Sequence, residues 1–170
     1  MVNHKIRLLH ELVTQRAASD PQAPALLFKQ SVHDFRTLAE QVNQFAARLV
    51  GLGLAADDRV AVYLPKQPEA VIGFFGAAAA GGVSVPVNPM LKPAQVAHIL
   101  RDCNVRVLIT SGQRARQLAD ILAECPDLDT LLVTSGVDKV GELPGTSVLA
   151  WDALDDKPEC ATYRRIDSDM

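Results

Sequence analysis

A chain of 170 residues amounts to one ordinary domain or a large part of one. With 48% hydrophobic and 22% charged residues it carries enough apolar material for a core and is not a disordered polymer. The net charge is -3, the basic residues are scattered and aromatics make up only 5%, which excludes the basic stripe and the stacking surface of a nucleic-acid binder.

Three cysteines, Cys103, Cys125 and Cys160, form neither a CxxC pair nor a zinc spacing. Unpatterned thiols in odd number fit a reducing cytosol, so the expected location is cytoplasmic. The N-terminus, MVNHKIRLLHELV, lacks the apolar core and small-residue cleavage site of a secretory signal. The nearly uncharged stretch from Val71 to Val87 is not a membrane span. It is built of Ala, Gly, Ser and Pro, is shorter than the ~20 residues a spanning helix needs, and is broken by Gly81-Gly82 and Pro86.

In chain order, Ile6 to Ala18 predicts an amphipathic helix, with Leu8, Leu9, Leu12 and Val13 on one face, stopped by Asp20-Pro21. Ala25 to Phe28 predicts a short strand, and the polar Gln30 to Asp34 a turn back toward Phe35. Thr37 opens a helix whose apolar stripe is Leu38, Val42, Phe45, Ala46 and Leu49, with Gly51 and Gly53 as its stop. Strands and helices then alternate. Val60 to Leu64, Val83 to Val87, Val105 to Thr110 and Leu131 to Thr134 read as strands. Glu69 to Ala80, Pro93 to Asp102 and Arg114 to Ala123 read as helices. Val148 to Trp151 adds a further candidate strand. The alternation predicts an α/β fold with a mostly parallel sheet and helices on both faces.

The helix EAVIGFFGAAAA, from Glu69 to Ala80, carries no charge after its first residue. A helix apolar all round is covered on all sides. A three-layer domain of this size leaves one side of each helix wet, so this one is expected to lie between two layers of a larger body. Asp152 to Met170 is polar, contains Pro158 and six acidic residues, and reads as a linker.

No chemical constellation emerges from the remaining motifs. Gly51-Leu-Gly53 follows a helix and has no third glycine at dinucleotide spacing. Thr110-Ser111-Gly112 and Thr134-Ser135-Gly136 sit at strand ends where anions are favoured, but neither continues into the glycines and lysine of a phosphate loop. His4, His10, His33 and His98 lack metal spacing, and no Ser-His-Asp order is legible. Cys103 reads as a small core residue, Asp57-Asp58 as a turn before a strand, and Asp167 and Asp169 as solvated linker. The expected catalytic, cofactor-binding and metal-binding residues within the chain are therefore none.

One stretch is more specific. Phe35 and Leu38 open it, Leu52-Gly53 closes the following helix, and it runs on from Asp57 through Ala80-Gly81-Gly82-Val83-Ser84-Val85-Pro86-Val87-Asn88-Pro89 to Thr110. Over residues 6 to 135 this resembles the N-terminal segment of the acyl-adenylate-forming superfamily, which holds acyl-CoA synthetases, peptide adenylation domains and luciferases. Asp57 stands where a glycine is usual in that pattern, and Phe35 where tyrosine is common. The resemblance implies the N-terminal portion of an AMP-binding domain, with a core over residues 6–150 and residues 151–170 leading toward a phosphate-binding loop. It further implies an AMP-forming acyl-CoA ligase that uses ATP, Mg²⁺ and coenzyme A on a small carboxylic acid. The 170 residues alone are then expected to be inactive and to self-associate through surface normally covered. Two other readings stand beside it: an adenylation domain loading a carrier protein, and a stand-alone flavodoxin-like or Rossmann-like binding module.

Overall fold

The computed structural model describes residues 8–153. The tail beyond Ala153 and the first residues of the predicted opening helix lie outside the described residues, as do His4, Cys160, Asp167 and Asp169. Within the described residues the first helix, α1, is Glu11–Ser19, so Leu8 to His10 of the expected helix are not part of it. Leu8 to His10 form a tighter turn instead: Glu11 N–H donates to Leu8 O at 3.1 Å, and the Glu11 carboxylate takes the Leu8 N–H at 3.2 Å.

Next comes a hairpin. β1 (Pro24–Phe28) pairs antiparallel with β2 (Ser31–Asp34), so Gln30 to Asp34 is mostly strand and not a turn. Lys29, at φ 54°, makes the reversal tight enough for Phe28 to face Ser31. The sequence hid this strand because its pairing is carried by backbone groups, with little apolar alternation to betray it. α2 (Phe35–Gly51) follows at once, capped by Asp34, whose carboxylate accepts the Thr37 N–H at 2.8 Å. Its stop is as expected: Gly53 takes the left-handed conformation at φ 89°, open to glycine at little cost.

The main sheet is built from β3 (Arg59–Val62), β4 (Val83–Pro86), β5 (Val105–Thr110), β6 (Thr130–Val133) and β7 (Ser147–Ala150). All neighbours are parallel, in the order β4-β3-β5-β6-β7. Pro86 sits in the edge strand β4, where its missing N–H costs no ladder bond. β3 closes at Val62 rather than Leu64, because its neighbour β4 ends at that register. The connecting helices are α3 (Pro68–Ala79), α4 (Pro93–Asp102) and α5 (Gly112–Leu122).

Each face of the sheet has its own core. Val60, Val62, Val107, Ile109 and Leu132 pack with α2 and α3, including Leu38, Val42, Phe45, Leu49 and Ile72. Ala61, Val105, Leu108, Leu131 and Val133 pack with α4 and α5 through Val96, Leu100, Ala115 and Leu118. The pattern follows from strand periodicity: successive residues of β3 and β5 serve opposite faces, so both must be apolar. Small residues let α3 approach both α2 and the sheet closely. A Cβ on Gly76 would stand 2.6 Å from the Phe45 ring, and one on Gly73 2.8 Å from Ile109.

No residue of α3 is exposed. Ile72, Gly73, Gly76, Ala77 and Ala79 are buried, while Val71, Phe74, Phe75 and Ala78 are only half-buried. The apolar helix is thus covered by α2 and the sheet on most of its circumference and left partly open along one flank.

Candidate functional site

In an open parallel sheet the ligand-binding crevice lies at the C-terminal strand ends, where the order of connections reverses. Here β3 is followed by β4 on one side and, after the crossover, by β5 on the other, so the reversal falls between β3 and β5. This is the flavodoxin-like order, and the residues at that point decide whether a ligand fits.

The chain fills the point with its own side chains. Tyr63 follows β3 and is 4% exposed. Its backbone is pinned from β5 twice: its N–H donates to Ile109 O at 2.9 Å, and Thr110 Oγ1 donates to its carbonyl at 3.0 Å. Arg114, in the first turn of α5, lays its guanidinium 4.6 Å over the Tyr63 ring and donates to Pro89 O at 2.8 Å. The Tyr63 hydroxyl donates to Leu91 O at 3.1 Å. Between those carbonyls, the Asn88 side chain accepts the Met90 N–H at 2.9 Å, and Leu91 N–H returns to Asn88 O at 3.1 Å.

The two Thr-Ser-Gly tripeptides meet at the next position along this edge and close each other. Gly112 N–H, at the entrance of α5, donates to Ser135 O at 2.8 Å. A Cβ on Gly112 would stand 1.8 Å from Gly136 O, so the second tripeptide is pressed onto the start of the helix. Thr134 N–H donates to Thr110 O at 2.9 Å. The amide that begins α5 is satisfied by protein. The sequence suggests two turns; instead Thr110 ends β5, Ser111 stands at the N-cap and Gly112 opens α5, while Thr134-Ser135 form a bend after β6.

Beside the filled crevice, on the α3 side, an apolar groove of ≈ 840 Å³ opens between the hairpin, α3 and the Asn88–Met90 turn. Leu27, Phe28, Val71, Phe74, Phe75 and Met90 are among its lining. A second groove, between α1 and the hairpin, adjoins it, with Leu26, Val71 and Phe75 lining both. The rim is strongly apolar and wet, with Met90 85% exposed and Leu27 76%, and Val32, the cross-strand partner of Leu27, is 63% exposed beside it.

Asp58 and Arg59 are engaged in backbone contacts. Asp58 accepts the Ala55 N–H at 2.8 Å in the turn before β3, and Arg59 is spent on the carbonyls of Cys103 and Asn104. Cys103 ends α4, half-buried, and Cys125 is buried. Among the described residues no group of three or more His, Cys, Asp or Glu is placed to hold a metal ion, and no helix is long and apolar enough to cross a membrane. What sequence reasoning missed is the pairing of Tyr63 with Arg114. Its faint signal is a tyrosine closing an otherwise aliphatic strand, since a buried phenol needs a polar partner.

The chain resembles proteins of one kind throughout. The profile of the AMP-binding enzyme family matches residues 13–164. A long-chain-fatty-acid–CoA ligase of Bacillus subtilis is 36% identical over 104 residues, which is 61% of this chain and 19% of that protein. Tyrocidine synthase 3 of Brevibacillus parabrevis is 31% identical over 121 residues, 71% of this chain and 2% of the synthase. Among solved structures, the anthranilate CoA ligase AuaEII in complex with anthranoyl-AMP superposes with a TM-score of 0.73 at 27% identity, covering 82% of this chain and 26% of the ligase. The chain therefore spans a small share of the length of the proteins it matches. By its sequence and its sheet alike, this chain belongs to the AMP-binding, adenylate-forming enzyme family.

Proposed function

We propose that the chain is the N-terminal portion of an AMP-forming acyl-CoA ligase acting in the cytoplasm on a small carboxylic acid. Residues 6–150 supply a structural core and residues 151–170 lead toward the nucleotide-binding segment. A carboxylate is a poor electrophile, because its charge repels nucleophiles and oxide is a poor leaving group. Attack of the carboxylate on the α-phosphate of ATP forms the mixed anhydride and releases pyrophosphate. The thiol of coenzyme A then takes the acyl group and AMP leaves. Bound Mg²⁺ would supply charge neutralisation on the phosphate oxygens.

The observation that carries the reading is the 36% identity to a CoA ligase within a family match over residues 13–164. The closed Thr-Ser-Gly tripeptides support placing the phosphate-binding groups outside residues 8–153. The half-open flank of α3 and the wet apolar rim support a further layer of protein over the groove. The matches to peptide synthetases favour a second reading, in which the acceptor is the thiol of a carrier protein.

The test begins with the source gene past codon 170. A frame continuing into a Gly-, Ser- and Thr-rich loop ending in Pro-Lys-Gly is the expected result. A stop codon there would overturn the catalytic reading. The full product should catalyse acid-dependent ATP–pyrophosphate exchange, with coenzyme A or a carrier protein then tried as acceptor. The 170-residue chain alone should catalyse none.

A further inference from the structure

We infer that Arg114 is a positioning residue: with Tyr63 it latches the Asn88–Leu91 turn as a fixed wall of the apolar groove and occupies the crevice where a sheet of this strand order takes its ligand. The turn lies between the two sides of the sheet. Its Asn88–Met90 part lines the groove on the α3 side. Its carbonyls at Pro89 and Leu91 are held from the face of α4 and α5, by Arg114 at 2.8 Å and Tyr63 at 3.1 Å. Three separate elements meet there: the end of β3, the link after β4 and the first turn of α5.

The chemistry suits a latch better than a binding group. The guanidinium is flat and lies on an aromatic face with one donor aimed at a carbonyl. The phenol beneath it is buried and donates its hydroxyl to the same turn. The Tyr63 hydroxyl and one guanidinium N–H are thus both engaged on the turn. Within the turn itself, Met90 N–H donates to the Asn88 side chain and Leu91 N–H to Asn88 O. Without the latch, an exposed methionine on a short turn beside an edge strand has little to fix it.

This placement rests on the reading of the groove as the face that further protein covers in the ligase. Its test does not, because it is made on the 170-residue chain and needs no activity. Amide hydrogen exchange of wild type, Arg114→Ala, Arg114→Lys and Tyr63→Phe is compared by NMR, with Arg116→Ala as a control on the exposed side of α5. Loss of one stacked contact and one hydrogen bond should speed exchange at Met90 and Leu91 about ten-fold in Arg114→Ala. β5 and the rest of α5 should keep wild-type rates. Arg114→Lys, which keeps the charge but not the flat fork, should fall between. Tyr63→Phe should loosen the same two amides while leaving the aromatic face in place. Unchanged rates at Met90 and Leu91 in both Arg114→Ala and Tyr63→Phe would overturn the proposal. So would a rise shared equally by β5 and α5, which would make Arg114 a general fold contact.

Discussion

The junction between the two Thr-Ser-Gly tripeptides offers the sharpest test of the packing described above. Replacing Gly112 by alanine puts a methyl 1.8 Å from Gly136 O, 2.6 Å from Gly136 C and 3.0 Å from Ser135 O. All three are backbone atoms, so no side chain can rotate away. To reach ordinary contact the Ser135–Gly136 segment must retreat by roughly 1.5 Å. That retreat breaks the 2.8 Å bond from Gly112 N–H to Ser135 O, at the entrance of α5. Overpacking against a fixed wall and the loss of that bond together should cost about 2–4 kcal/mol. The assay is urea unfolding followed by emission of Trp151, the single tryptophan, which stacks on Phe45 at a centroid distance of 4.4 Å. With a slope of about 2 kcal/mol per molar, the midpoint should drop by about 1–2 M urea. Gly51→Ala is the control: nothing stands within 4 Å of its Cβ, and it should be neutral or stabilise by up to about 1 kcal/mol. A Gly112→Ala midpoint within about 0.2 M of wild type, at unchanged slope, would refute the argument that the two tripeptides are jammed together.

Further outcomes follow from the same structure. Gly76→Ala should cost about 1–3 kcal/mol and change Trp151 emission, because the added methyl meets the Phe45 ring on which Trp151 stacks. His10 is 2% exposed, and burial lowers its pKa below the ordinary 6.5, with Glu11 pulling the other way more weakly. The unfolded chain then binds the proton first, so this contribution is complete above pH 6.5 and is lost as pH falls below it. Urea midpoints at pH 7 and pH 5.5 should separate in wild type and converge in His10→Asn. Asp34 is held below its ordinary 3.8, mainly by the backbone N–H of Thr37. Its capping contribution is therefore present above pH 3.8 and lost on further acidification, and Asp34→Asn should flatten the acid limb of a melting-temperature profile. Sedimentation at rising concentration should show association of the 170-residue chain, weakened by a Leu27→Lys, Met90→Lys pair on the groove rim; a concentration-independent monomer would count against the exposed rim as an adhesive surface.

Much of this fold is legible in the sequence, for identifiable reasons. α4 and β5 have the bounds that Pro93, the apolar run and the following turn dictate. Those signals are local: a proline at the first helical position and strand residues apolar on both faces. β2 was obscured because one valine among polar residues gives no periodicity, and only its register with β1 makes it a strand. The order of the strands is invisible for a different reason. Local pattern says that β3, β4 and β5 exist, but not which of the later two lies on which side of the first. The crevice inherits that opacity. Arg114 reads as an unremarkable helix residue until the sheet brings it over Tyr63. The family resemblance rested instead on the run through Asn88-Pro89, where turn chemistry and spacing coincide.

α3 carries a consequence for how this segment tolerates change. A helix with one wet face accepts almost any residue there, and its substitution map is striped. In α3 the close contacts forbid larger residues at Gly73 and Gly76, and the positions facing the groove, Val71, Phe74 and Phe75, are apolar where a surface helix is polar. Scanning every substitution through α3 in the complete protein should give an intolerant band running round the helix. The same scan in the 170-residue chain should regain tolerance most at Phe74, because Val71 and Phe75 also pack against the chain's own core. On the proposed reading, the contrast between the two maps would separate residues that serve this unit from residues that serve a contact with a further layer of protein.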